Sequence, residues 1–511
     1  MLDSLMPTGG RPRQLSSRTV LLGIMCALSA GRPAQLRAAY RELASLSFAD
    51  QLSLNFAAVT DDGEIATASY RQFADTFSVM CRAIDPSPVP SFRGVAEQDR
   101  VAHLALAREG DGAERATALL HEVIDVLVEA SVPMAYKGAS TSLAIDWTDH
   151  ETWSRPRAKN DSQPANDPDA SFGHAKRNAP GAKDCLFFGY YAQVATMVAD
   201  ESGPIVPELV RRVALETPAL DPARVMAATL VRAEASGLAL GDVLADCGYS
   251  NRAPEGFARP LRAAGARLVI DLHPADRGPQ GTFEGAICVN GQLYCPATPP
   301  QLLGLGPLRR SASAEEIAAH DAACSELAHY KLSAITAPCD DGYHRVICPA
   351  AAGKVRCPLK AASMALSAEH PSVLDPPGSL PRCCAQQTIT VPPQVNEKTR
   401  QAHDYPSEAH RISYARRTAS ERCFASLSDA SVGGIRRGWC RLFGLVKNCL
   451  VYSLAVVVRN IRIVESFEAR RADEARRAAM GIEPRRRRRR HQREEPAPSK
   501  PPTAKKPSVP G

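Results

Sequence analysis

Near residue 139 the apolar residues of this 511-residue chain change their spacing, and that change limits the folds open to it. From about 17 to 135 the spacing is helical, in long Ala/Leu/Arg stretches broken at Asp85–Pro90 and Gly110–Gly112. Beyond 139, short apolar runs alternate with helical ones. Ser142–Ile145 reads as a strand ending at Asp146, and residues 154–184 as a polar loop. Cys185–Tyr191 and Gln193–Val198 read as the two strands of a hairpin. Asp221 to Ser236 reads as a helix: Asp221 is a good N-cap, Pro222 suits the first turn and Gly237 stops it. Asp242–Ala245 is a short strand ending at Asp246, Pro254–Ala264 a helix, and Arg267–Leu272 a buried strand. The order strand, strand, strand, helix, strand, helix, strand predicts an α/β domain built on a mixed sheet with flanking helices.

The rhythm breaks again over residues 273–405. This stretch is rich in Pro and holds Cys288, Cys295, Cys324, Cys339, Cys348, Cys357, Cys383 and Cys384, so it reads as an insertion. Helical spacing resumes from about Ser407 through Leu427, and again from Gly438 to about Ala479. The layout expected is a flexible start at 1–16 and a helical region at 17–138, a candidate DNA-binding domain. A core then spans 139–272 and 406–480, split by the insertion, and a basic tail covers 481–511. Gly31-Arg32-Pro33 is either the turn of a helix-turn-helix or a plain inter-helix loop.

Charge and cysteine usage narrow the setting. The formal net charge is +7, and residues 481–511 carry a net +7 by themselves, with Arg485 to Arg490 in one run. The rest of the chain is close to neutral, and the tail reads as a disordered arm that attracts polyanions. Fifteen cysteines with no regular framework suit a reducing compartment. Thr19 to Ala30 follows Arg11, Arg13 and Arg18 and has the outline of a signal peptide, but it reads on as a helix through Gln35 to Leu46. Cys449 to Val458 is apolar for about half the length a bilayer requires, so it reads as a buried core helix. No membrane span is expected.

Two aspartates sit where chemistry is done in α/β sheets. Asp146 and Asp246 lie at or just past the ends of predicted strands, the edge outside which such sheets bind ligands. Either one alone is an ordinary cap or turn residue. The run RISYARRTASERCFASLS adds Tyr414, Arg417, Glu421 and Ser428, which a continuous helix would bring within an arc of roughly 60°. That is also what the polar face of any amphipathic helix provides. Asp146, Asp246 and Glu421 together are hard oxygen donors able to hold one or two Mg²⁺ ions. Two such ions can steady the attacking and leaving oxygens of an in-line displacement at phosphorus.

These residues carry a resemblance. Tyr414, Arg417 and Glu421 match the Y-(2)-R-(3)-E-(6)-K signature of insertion-sequence DDE transposases, enzymes with an RNase H-like catalytic domain. Leu143-Ala144-Ile145-Asp146-Trp147-Thr148 resembles the segment around that family's first Asp, and Ala245-Asp246-Cys247-Gly248-Tyr249 the segment around its second. Phe188-Gly189-Tyr190-Tyr191 resembles the family's second strand, and a large insertion before the Glu-bearing helix is a family trait. The likeness spans about residues 139–470. It implies a DNA transposase that cuts element ends and transfers strands, with Asp146, Asp246 and Glu421 as catalytic metal ligands. The cofactor implied is Mg²⁺, two ions, with Mn²⁺ able to substitute. Tyr414, Arg417 and Ser428 would contact phosphates of double-stranded DNA, at transposon inverted-repeat ends and in the target. A homodimer on DNA and a bacterial, nucleoid-associated cytoplasmic location are further implications.

One position departs from the family. The signature's Lys is Ser428 here, and Arg436, Arg437 and Lys447 are the nearby cations that could replace its charge. The alternative function is therefore a catalytically silent, transposase-derived DNA-binding protein. Zinc in the insertion is the minor reading, because no cysteines stand two to four residues apart as structural zinc sites prefer. His174, His273, His344 and His410 read as structural or solvated.

Overall fold

The computed structural model describes residues 2–6, 14–86, 102, 105, 111–156, 165–175, 185–309, 311–339, 341–429 and 434–483. The Arg485–Arg490 run and the predicted basic tail beyond Glu483 lie outside the described residues. So do parts of the segments read as a flexible start at 1–16, a break at Asp85–Pro90 and a loop at 154–184. The chain divides into two units, Met1–Ile463 and Val464–Gly511.

In the first unit, α1 (Ser17–Ser29) begins where the Ser16 hydroxyl accepts the Thr19 N–H, satisfying a donor that the first turn leaves open. It does not run on to Leu46 as the spacing suggested. Gly31 takes a left-handed φ of 69°, and Pro33 follows, so the chain turns before α2 (Leu36–Ala44). A second correction concerns the expectation that 17–138 is wholly helical. Ala57–Val59 (β1) and Ile65–Thr67 (β2) form an antiparallel hairpin whose turn holds Asp62 and Gly63, the latter at φ 78°. Tyr70–Ala83 (α3) follows, locked by a Ser69–Gln72 capping box, and then Asp111–Ala130 (α4).

The sheet is mixed. Ser142–Glu151 (β3) lies antiparallel to Cys185–Val198 (β5) and parallel to Asp242–Ala245 (β7), which is parallel in turn to Arg267–Ile270 (β8). Ser171–Ala175 (β4) and Val210–Glu216 (β6) both pair with β5. The six strands thus run β5–β3–β7–β8, with β4 and β6 pairing along different stretches of β5. Four expectations change here. β4 lies within the stretch 154–184 that reads as a polar loop, because its edge pairs with Cys185–Gly189 of β5. The segment 185–198 is one strand rather than a hairpin broken at Ala192, because β3 and β6 pair with it continuously through Ala192 and Gln193. β3 runs to Glu151 rather than ending at Asp146, since β5 goes on pairing with it. β6 was not anticipated at all: its sequence VRRVALE looks solvent-facing, yet Arg211 and Arg212 are buried against Glu129 of α4.

Helices cover the sheet. Pro222–Ala235 (α5) is capped by Asp221, whose carboxylate accepts the Ala223 N–H, and Gly237 closes it at φ 94°. Cys247–Ser250 (α6) starts directly after β7, and Ala258–Ala263 (α7) precedes β8. The predicted helix over 407–427 is two helices, Glu408–Tyr414 (α9) and Thr418–Ser428 (α10), joined by a 3₁₀ turn at Ala415–Arg417. Arg416 fixes that turn to the sheet, donating to Asp242 at 2.7 Å and to the Ala199 carbonyl at 3.0 Å.

The last helix, α11 (Leu445–Ala479), starts at Leu445 and not at Gly438, which sits at φ 85°. Its N-terminal donors are met by carboxylates: Gly444 N–H by Asp167 and Leu445 N–H by Asp169. Leu450, Val451, Leu454 and Val458 are buried in one apolar core with Phe73, Phe77 and Ile124 of the N-terminal helices and with Val194 and Val213 of the sheet. Each such side chain contributes about 1.5–3 kcal/mol relative to exposure. In the second unit, the guanidinium groups of Arg470 and Arg471 lie over the Phe467 ring. Among the described residues no helix is long and apolar enough to cross a membrane.

The insertion is not irregular. It holds the antiparallel strands Pro279–Phe283 (β9), Ala286–Val289 (β10) and Gln292–Tyr294 (β11). A second small sheet joins Ser333–Ala334 (β12), His344–Ile347 (β13) and Thr388–Val391 (β14). Between the two lies Ala314–His329 (α8), with a Ser313–Glu316 capping box. All fifteen cysteines are free thiols.

Candidate active site

Strand register assembles the site. Ala144 of β3 lies opposite Leu244 of β7, and Leu244 lies opposite Val269 of β8. All three are buried in one cluster with Ala419 of α10, so they define the sheet face beneath that helix. Side chains alternate along a strand, so the residues two further on return to the same face. Those residues are Asp146, Asp246 and Asp271. The Asp271 N–H donates to the Ala245 carbonyl at 3.2 Å, which carries the alignment past the strand ends. A row of three aspartates therefore crosses three parallel strands, and Glu421 stands two residues beyond Ala419 on the covering helix.

Arg417 ties the row to the helix. One nitrogen, Nη1, meets Asp146 Oδ2 at 3.2 Å, and Nη2 meets Glu421 Oε1 at 2.5 Å. Burial pushes the Asp146 carboxyl up to about 6; Arg417 opposes this, while Asp246 and then Glu421 add to it. Asp246 and Glu421 thus each lie within electrostatic reach of Asp146. Asp146 also accepts its neighbour Trp147's N–H, and Asp246 caps α6 by accepting the Gly248 N–H at 2.9 Å.

Aromatic side chains line both sides. The Trp147 and Tyr249 rings meet edge-on at 4.4 Å between centroids, and the Tyr249 hydroxyl donates to Gln193. Burial, with Asp146 and Asp246 nearby, keeps Tyr249 protonated far above the ordinary phenol range. On the other side Tyr414 stacks on His410, ring centroids 5.6 Å apart and planes 14° from parallel, and faces the Arg417 guanidinium. Burial likewise holds the Tyr414 hydroxyl in its protonated form, Arg417 opposing and Asp271 reinforcing. His410 is pushed down to about 4 by burial and donates through Nε2 to the Ile270 carbonyl.

Of the four residues read from the helix run, Tyr414, Arg417 and Glu421 come together and Ser428 does not. Ser428 is the last residue of α10, about 10 Å along the axis from Glu421, and is exposed. Its carbonyl accepts from Arg436, while Arg437 pairs with Glu151. Asp271 was missed. It ends a parallel strand just as Asp246 does, so the same argument would have found it. It accepts from the Tyr405 hydroxyl at 2.8 Å and from Arg277 at 3.1 Å.

Among the described residues no three His, Cys, Asp or Glu side chains are placed as ligands around one point. The donor chemistry of Asp146, Asp246 and Glu421 nevertheless suits Mg²⁺ or Mn²⁺, being oxygen only, with the Arg417 cation now lying between two of them. In the insertion, the Cys383 and Cys384 sulfurs are 3.9 Å apart, and Cys295, Cys348 and Cys357 share an apolar cluster. No protein-family model, no curated protein and no solved structure matches the chain.

Proposed function

We propose that this chain is an insertion-sequence DNA transposase with an RNase H-like catalytic core. The observation that carries the reading is the register that sets Asp146 beside Asp246, beneath the helix bearing Glu421. Counting β3, β5, β6, β7 and β8 in chain order, the sheet reads third, second, first, fourth, fifth, with the second strand antiparallel. The two aspartates then fall on the first strand and just after the fourth, and the glutamate on a late helix, as the RNase H-like reading requires.

Asp146, Asp246 and Glu421 would hold the Mg²⁺, which when bound supplies charge neutralisation at the attacking and leaving oxygens. Tyr414, kept protonated, is a hydrogen-bond donor for a phosphate oxygen, and the Arg417 fork fits a phosphate in two-point fashion. Trp147 and Tyr249 pack behind the carboxylates and hold the loop that presents Asp246. Water adds to phosphorus and the 3′-oxygen leaves as a hydroxyl. That 3′-hydroxyl then attacks target DNA, with no covalent protein–DNA intermediate.

The test is cleavage and joining of labelled element-end duplexes. Asp146→Asn, Asp246→Asn and Glu421→Gln each abolish cleavage under Mg²⁺ while end binding persists. Full cleavage by any of the three overturns the assignment, and cleavage without joined products reduces it to a nuclease. Ser428, standing where the family signature has Lys, favours a second reading: a catalytically silent DNA-binding protein of transposase descent. Binding without cleavage in either Mg²⁺ or Mn²⁺ by the unmutated chain would establish it.

A further inference from the structure

The site carries an internal cation that touches two of its own acids. Arg417 is 11% exposed, and its two outer nitrogens are each committed to a different carboxylate, Asp146 and Glu421. Those are the oxygens a divalent ion would need. Arg417 also lies on the 3₁₀ turn between α9 and α10, where it precedes the first residue of α10. Beside it, Tyr414 offers a ring face on which the guanidinium can slide, 5.6 Å from the centroid.

We infer that Arg417 is a displaceable counter-ion that couples DNA binding to divalent-ion binding. This rests on the proposed function above. With no polyanion present, the guanidinium neutralises Asp146 and Glu421 and competes directly with a divalent ion for the same oxygens. A DNA phosphate offers the fork an equally suitable partner. Moving the guanidinium onto phosphate uncovers both carboxylates, so DNA raises the affinity for the ion, and by linkage the ion raises the affinity for DNA to the same degree. A nuclease-type centre built this way stays unloaded until a strand lies on it.

Mn²⁺ binding to the full chain, read from the electron paramagnetic resonance of free Mn²⁺, tests the coupling without reference to activity. The unmutated chain binds Mn²⁺ weakly alone and at least about tenfold more tightly with a duplex oligonucleotide. Arg417→Gln binds tightly without DNA, and the duplex adds nothing. Arg417→Lys keeps a positive charge and stays weak without DNA, which provides a second variant should the glutamine form fold poorly. Arg259→Gln, which removes a cation that pairs with Glu397 instead, behaves as the unmutated chain does. If Asp146→Asn abolishes Mn²⁺ binding but Arg417→Gln leaves it unchanged, the counter-ion role is wrong and the metal-site reading stands. If Mn²⁺ binds none of these proteins, with or without DNA, both fall.

Discussion

Trp147 lies across Gly248: a Cβ placed on that glycine would come within 2.5 Å of the indole Cη2 and 3.0 Å of Asp246 Oδ1. The indole cannot retreat easily, because the Tyr249 ring is wedged against it. Two effects therefore oppose each other in Gly248→Ala. Alanine favours the short helix by up to about 1 kcal/mol, whereas overpacking costs about 1–3 kcal/mol. We expect the clash to win, giving a net loss of stability in urea unfolding followed by tryptophan fluorescence, together with at least a tenfold loss of cleavage. Unchanged stability would show that Trp147 is freer than its packing implies.

Asp246 caps α6 and, on the proposed reading, also holds the metal, and two substitutions distinguish the two roles. Asp246→Asn keeps an oxygen to accept the Gly248 N–H, so the cap survives and stability changes little. Asp246→Ala loses the cap and costs about 1 kcal/mol. Both remove the charge and both should stop cleavage. Equal stability of the two variants would mean the cap contributes nothing.

Glu129 holds α4 to the sheet by accepting from Arg211 at 2.9 Å and Arg212 at 3.0 Å, two arginines that are otherwise buried. Glu129→Ala strands Arg211 and leaves Arg212 with Asp125 alone, 3.6 Å away. The expected cost is about 3–5 kcal/mol, far above that of a surface pair. A chemical denaturation midpoint within experimental error of the unmutated protein's would refute this.

His150 should make the protein acid-sensitive. Burial pushes it down to about 4, with the Asn448 side chain and Asp149 pulling weakly the other way. Its unfolded value is about 6.5, so between those two pH values the unfolded chain binds a proton that the folded chain refuses. Stability therefore falls as pH drops from about 6.5 towards about 4. His410, pushed down to about 4 in the same way, adds to the slope. Between about pH 7 and about pH 5 we expect each to remove about 2 kcal/mol. His150→Gln should flatten its share; an unaltered slope in that variant would mean His150 is protonated in the fold.

The sequence was most legible where short-range chemistry decides. Asp221, Pro222 and Gly237 bracket α5 because caps and stops act within a turn. The strand Asp242–Ala245 was bounded correctly by Asp246, for the same reason. Reading failed where a distant partner decides. The segment 185–198 looked like two strands because the partners that pair through Ala192, Thr148 of β3 and Leu215 of β6, are distant in sequence. β6 was hidden by two arginines whose counter-charge lies on α4, and the far half of β3 was hidden because Thr148 and Asp149 resemble loop residues until β5 pairs with them. In the candidate site, Glu421 and Asp246 are legible from local pattern, as a helix-borne acid and a strand-end acid. Asp271 was missed, and the placement of Arg417 between Asp146 and Glu421 is a tertiary fact that no spacing encodes.

The insertion between β8 and α9 has a consequence in time. Asp246 and Glu421 are separated by about 175 residues of chain, and synthesis at roughly 5–20 residues per second puts about 10–35 seconds between them. Throughout that interval a nascent copy displays the aspartate row with neither the glutamate nor the arginine that belongs with it. On the proposed reading, a polypeptide abandoned anywhere between Asp271 and Tyr405 would lack both Arg417 and Glu421, and so could assemble neither the metal site nor the counter-ion that occupies it.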